Sequence, residues 1–193
     1  MGKGRLEAFS DGVIAILITI MVLELKIPHG SEMAALAPVL PVFLTYVLSF
    51  VYLGIYWNNH HHMLHVTSRV NGTVLWANLH LLFWLSLVPF GTAWMGEHHE
   101  APVPTAIYGA IFLGCGVAYL ILERAIIRAD GGATSRLAAA IGGDLKGQLS
   151  GLFYALSIPL AWVDTWISDG IFLVVAAMWF IPDRRIEAKL TPE

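Results

Sequence analysis

A chain of 193 residues that is 57% hydrophobic and only 13% charged lies outside the range of soluble domains, which run at about 45–50% apolar and about 25% charged. The formal net charge of −3 comes with no basic patch for a nucleic acid, and the single cysteine, Cys115, excludes an intrachain disulfide framework. What remains is a membrane protein, and its apolar segments can be taken in order.

The first segment, expected at 5–27, joins an uncharged run, Gly12 to Leu23, directly to a polar head of Arg5, Glu7, Ser10 and Asp11. Twelve residues at the helical rise reach only about 18 Å, against about 30 Å of hydrocarbon. A spanning helix here must carry Asp11 or Glu24 to the edge of the hydrocarbon or into the protein. A carboxylate facing lipid costs about 2.5–3.5 kcal/mol on insertion scales, so Ser10 and Asp11 are expected to face protein or water. Asp11 and the lack of a small-x-small cleavage site argue against a signal peptide. The start M-G-K-G-R-L lacks the sixth-position Ser or Thr of a myristoylation signal.

The second segment, 33–57, has Pro38 and Pro41 in its first turns, where a missing backbone N–H is tolerated, and is followed by N-N-H-H-H-M-L-H. The third, 70–95, contains Asn78, His80 and Pro89, and Pro89 is expected to bend it. The fourth, 101–127, contains Gly109, Gly114 and Gly116, which suggest close helix approach. A polar stretch, 123–146, reads as a helix extension and then a loop. The fifth segment, 147–163, and the sixth, 166–182, flank a tight turn at Asp164 and lead to a polar tail.

Six spans make a single all-α membrane domain over 1–193, with both termini on one side. If that side is the cytoplasm, Lys3, Arg5, Arg69, Arg124, Arg128, Arg136, Lys146, Arg184, Arg185 and Lys189 lie inside, and only Lys26 lies outside. Such a bias orients the chain in a cell membrane and supports the count of six. Trp94, Trp162 and Trp166 then mark the outer interface, and Trp57 and Trp179 the inner one.

Projected at about 100° per residue, Ile16, Ile20 and Leu23 fall within about 60° of one another, with Thr19 at the edge of the stripe and Asp11 pointing away. Such a stripe can face lipid, another helix or a pore. Arg5 and Asp11 sit on different helix faces, so each is expected to find a partner on another helix. Trp57, Asn58, His60, His61, His62, Trp76 and Asn78 lie at the same depth and would form a polar layer with them.

The stretch R-L-E-A-F-S-D-G-V-I-A-I-L-I-T, with Arg5 and then Phe9-Ser10-Asp11, resembles the R-x-x-x-F-S-D signature of the transmembrane-protein-175 family of potassium-selective channels. L-S-F-V-Y-L-G-I-Y-W-N-N-H-H and W-A-N-L-H-L-L-F-W-L-S-L-V-P-F extend the resemblance over about the first ninety-five residues. It implies six spans per chain, a homotetramer, and helix 1 lining a central pore. It implies a signature polar network, here Arg5, Phe9, Ser10, Asp11, Trp57, His60, His61, Trp76 and Asn78. It further implies an apolar constriction at Ile16, further rings at Ile20 and Leu23, and a hydroxyl layer at Thr19. The T-V-G-Y-G filter of ordinary potassium channels is absent from the family and from this sequence. An apolar constriction with no charge ring passes ions only when wide enough to hold water. A weakly hydrated ion loses less there, so potassium is expected over sodium.

His61 and His65 have the i, i+4 spacing of a metal pair, but no Cys, Asp or Glu lies nearby in sequence to complete a site, so no metal or cofactor is expected beyond permeant potassium. Titration of these histidines between pH 5 and 8 offers a route to pH-dependent gating. His80 reads as buried, neutral and hydrogen-bonded. The expected partners are other copies of the chain, lipids and monovalent cations. The alternatives are a secondary transporter of a small cation, which calls for charged sites near the midplane, and an intramembrane enzyme, for which no convergent acid and base groups are visible.

Overall fold

The computed structural model describes residues 2–141 and 144–180, and they are almost entirely helical, with no strand among them. The helices are α1 (Lys3–Ile20), α2 (Leu40–Val66), α3 (Gly72–Ser86), α4 (Val88–Glu97), α5 (Pro102–Ala129), α6 (Arg136–Ile141), α7 (Leu145–Leu160) and α8 (Thr165–Phe180). Short 3-10 turns, Met21–Glu24 and Met33–Val39, extend α1 and precede α2. Four helical runs among the described residues are long and apolar enough to cross a bilayer: Lys3–Glu24, Met33–Val66, Gly72–Glu97 and Pro102–Ala129. The chain is a multi-pass membrane protein. The sixteen-residue helices α7 and α8 each reach only about 24 Å.

Local chemistry sets the ends of these helices. Pro41 and Pro102 occupy first turns, where no N–H is needed. Asn71 caps α3 by accepting from the Val74 N–H at 3.0 Å, and Asp144 caps α7 through the Gly147 N–H at 2.9 Å. Pro89 has no N–H to continue the ladder, so the third span divides into α3 and α4 around Leu87. At the end of α5 Gly131 adopts φ +104°, a left-handed stop that favours glycine.

Two boundaries differ from the sequence expectation. α2 runs to Val66 rather than ending near residue 57, so His60, His61, His62 and His65 are helical. Polar residues without Gly or Pro mark the end of the apolar stretch but do not stop a helix. The polar stretch 123–146 holds the rest of α5, to Ala129, and then α6. The polar tail and its Arg184, Arg185 and Lys189, with the last residues of the sixth expected segment, lie outside the described residues.

The core forms where α2, α5, α7 and α8 meet. Phe112 stands 4.3 Å from Tyr52, 4.8 Å from Tyr108 and 5.8 Å from Tyr154 between ring centroids. Tyr52 donates its hydroxyl to the Phe172 carbonyl at 2.6 Å, tying α2 to α8. α3 packs on α5, where Gly114 admits the Trp84 ring. α1 lies against α2, α3 and α4, at the flank of this bundle.

Candidate functional site

α1 has two faces of different character. Leu6, Ser10, Ile14, Leu17 and Met21 are buried against the rest of the chain. On the opposite side Ile16 is 59% exposed, Ile20 40% and Leu23 79%, with Gly12 and Thr19 exposed beside them. At about 100° per residue the centres of the two sets lie roughly 135° apart, with Ile20 and Leu6 at their near edges.

The buried face is held by a polar chain. The Ser10 hydroxyl donates to the Leu6 carbonyl at 2.9 Å and accepts from Asn78 Nδ2 at 2.9 Å. Asn78 Oδ1 lies 2.7 Å from His60 Nε2. A carbonyl oxygen only accepts, so His60 carries its proton on Nε2. Its Nδ1 is buried and has no partner among the described residues. Every donor in this chain points towards α1, and the three helices α1, α2 and α3 meet in it. Beside it, Trp57 donates its indole N–H to Asp11 Oδ1 at 3.0 Å and stacks on His61 at 6.1 Å.

The exposed face presents one polar group within the stripe. The Thr19 hydroxyl lies 3.0 Å from both the Ala15 and the Ile16 carbonyl oxygens, so its proton is directed back into its own helix. Its oxygen lone pairs are left on the open side.

Comparison with known proteins gives this arrangement a context. The family model described as endosomal/lysosomal potassium channel TMEM175 matches residues 5–89. A potassium channel from Chryseobacterium sp. (strain P1-3) is 54% identical over 190 residues, which cover 98% of each chain. The chain belongs to the TMEM175 family. A potassium channel from Chamaesiphon minutus is 31% identical over 189 residues, covering 90% of this chain and 91% of that one. The crystal structure of a lysosomal potassium-selective channel TMEM175 homolog from Chamaesiphon minutus has a TM-score of 0.76 at 28% identity, over 95% of this chain and 97% of that chain. These relatives are bacterial, and this chain is a prokaryotic TMEM175-family member.

Of the residues expected in the polar network, the structure brings Ser10, Asp11, Trp57, His60 and Asn78 together, with His61 stacked on Trp57. It does not bring in Arg5, Phe9 or Trp76. All three are exposed, Trp76 to 75%, and Arg5 makes no ion pair with another described residue. His80, expected to be buried, is exposed, and its Nε2 accepts from the Trp84 indole at 3.1 Å. The His61 and His65 rings lie stacked at 6.2 Å, and among the described residues no group of three or more His, Cys, Asp or Glu converges.

A second polar cluster on the buried side was not evident from the sequence. Ser49 Oγ lies 2.9 Å from Tyr108 Oη and 2.7 Å from Thr92 Oγ1. Thr92 also reaches the Val88 carbonyl at 2.7 Å and Met21 Sδ at 3.9 Å. Isolated hydroxyls in apolar segments are common in membrane helices, and nothing in their spacing links residues 49, 92 and 108.

Proposed function

We propose that this chain is a passive potassium-selective channel with no resident cofactor, acting as a homotetramer of six-span subunits. One α1 from each copy surrounds a central axis, with the chain in the plasma membrane and both termini cytoplasmic. The chain is read as a single membrane domain over 1–193. The relatives support this reading: two bacterial proteins covering most of this chain's length are named potassium channels, and the similar crystal structure is described as potassium-selective. They belong to an ion-channel family rather than an enzyme family.

The observation that carries the proposal is the division of α1. Its back is tied to α2 and α3 through Ser10, Asn78 and His60, so its exposed stripe cannot turn inward. A single α1 encloses nothing, and the stripe of Ile16, Ile20 and Leu23 becomes a constriction only when copies meet. Ile16 then supplies the narrowest apolar ring, which blocks by dewetting when tight. Thr19 supplies a ring of oxygen lone pairs. With no charge in the stripe, the more weakly hydrated potassium ion passes more easily than sodium. Arg5, Phe9 and Trp76, left open in one chain, are available to a neighbouring copy.

Purified protein in liposomes, with potassium and sodium fluxes measured for the native chain and for Ile16→Asn, tests this reading. A polar ring should wet the constriction and loosen the preference for potassium. Identical flux and ion preference in the two proteins would remove Ile16 from the pore.

A further inference from the structure

Lys26 is the one Lys or Arg that the sequence pattern places on the outer side. It lies three residues beyond Leu23, where the chain leaves the exposed stripe of α1. Its Nζ lies 2.5 Å from Glu97 Oε1, at the last residue of α4. Five residues earlier on both segments, Thr92 of α4 meets Met21 through its sulfur. α4 therefore touches the outer continuation of α1 at two levels. α4 is itself tightly seated: a Cβ on Gly96 would come within 2.9 Å of the Val42 Cα, and one on Gly91 within 2.8 Å of Ile111 Cδ1.

The Lys26–Glu97 pair is exposed on both sides, and such pairs add little to folding stability. Its importance lies in where it puts a charge. The hydrogen bond and the charge of Glu97 raise the Lys26 pKa above its ordinary value, so the ammonium stays positive at physiological pH. Several unpaired ammonium groups around a cation pathway would lower the local cation concentration at its mouth. Glu97 pairs with each one and draws it towards α4, while the charge of Glu24 adds a weaker attraction.

We propose that Glu97 is a positioning residue for permeation, holding Lys26 aside and neutralised at the outer mouth of the pathway lined by α1. The proposal rests on the reading of α1 as the pore helix.

The test is inward potassium current through single channels of the reconstituted full-length protein, comparing the native chain with Glu97→Gln, Lys26→Gln and the double variant. In about 10 mM KCl the screening length is about 30 Å, and in about 1 M KCl it is about 3 Å. Glu97→Gln is expected to lower the inward current about two- to five-fold at low salt and hardly at all at high salt. Lys26→Gln alone should leave the current at or above the native level, and the double variant should recover it. Native current in Glu97→Gln at low salt, or a deficit that persists in the double variant or at high salt, would overturn the proposal. If Ile16→Asn changes ion preference while Glu97→Gln is silent, only this assignment fails. If both are silent, the pore reading fails with it.

Discussion

The Trp57 indole donates to the Asp11 carboxylate across the α1–α2 contact at 3.0 Å, one residue along from the buried Ser10 that Asn78 holds. Two adjacent residues of α1 are thus gripped by two different helices, one at the rim of the bundle and one inside it. This double grip sets the rotation of α1 about its own axis and therefore which side chains face outward.

Trp57→Phe keeps the ring and removes the donor. Because Trp57 is partly exposed, the loss should sit at the low end for hydrogen bonds to charged groups, about 1–2 kcal/mol. A thermal melt of the detergent-solubilised protein should show a lower midpoint, and an unchanged midpoint would mean that water replaces the indole without loss.

Asn78→Leu should be worse. It leaves the Ser10 hydroxyl without its donor and the His60 Nε2–H without its acceptor, both buried, at about 1–3 kcal/mol for each group. Ser10→Ala removes the bond to the Leu6 carbonyl and leaves only one buried group, Asn78 Nδ2, without its partner, and should cost about 1–3 kcal/mol. The order of melting midpoints, native above Ser10→Ala above Asn78→Leu, is the checkable outcome.

Gly114→Ala sets a new methyl about where the Trp84 ring already lies, since a Cβ there would come within 2.3 Å of ring carbons. The ring must swing and surrender its bond to His80, at about 1–3 kcal/mol of overpacking. Gly116→Ala, two residues on, meets nothing within 4 Å and is the matched control. It should be neutral or stabilise the helix by up to about 1 kcal/mol. Equal melting midpoints for the two variants would contradict the α3–α5 packing.

Asp130 accepts from the Ser68 N–H at 2.9 Å, the Arg69 N–H at 2.8 Å and the Ser68 hydroxyl at 3.1 Å, pinning the α2–α3 connection to the end of α5. Asp130→Ala should release that connection without unfolding the bundle. Hydrogen exchange at the Ser68 and Arg69 amides should speed up by about ten-fold or more, while core amides of α5 stay protected. Unchanged exchange at both amides would show that the carboxylate does not hold them.

The stripe of α1 was legible in the sequence because Ile16, Ile20 and Leu23 recur at the helical period, and because Ser10 and Asp11 could not face lipid. The break at Pro89 was legible because proline has no N–H to donate. The end of α2 was not, because histidines at a membrane edge look like a boundary in hydropathy yet continue a helix without strain. The exposure of His80 was missed because a polar residue in an apolar helix suggests burial, whereas here Trp84 on the same helix supplies the partner. The hydroxyl cluster of Ser49, Thr92 and Tyr108 depends on how three distant segments pack, which local periodicity does not encode. Arg5 and Trp76 show the complementary limit: the motif marks them for a polar network, but one chain alone leaves them open.

The central claim, that the exposed face of α1 lines a water-filled path shared between copies, is tested most directly by thiol accessibility during flux. The native Cys115 is fully buried and gives a quiet background. Potassium efflux from liposomes carrying Ile16→Cys should fall sharply on adding a membrane-impermeant, positively charged thiosulfonate, while Ile14→Cys, on the buried face, should be unaffected. Efflux through Ile16→Cys that is untouched by the water-borne reagent, with the same cysteine modified by a lipid-soluble maleimide, would place Ile16 against acyl chains and contradict the account.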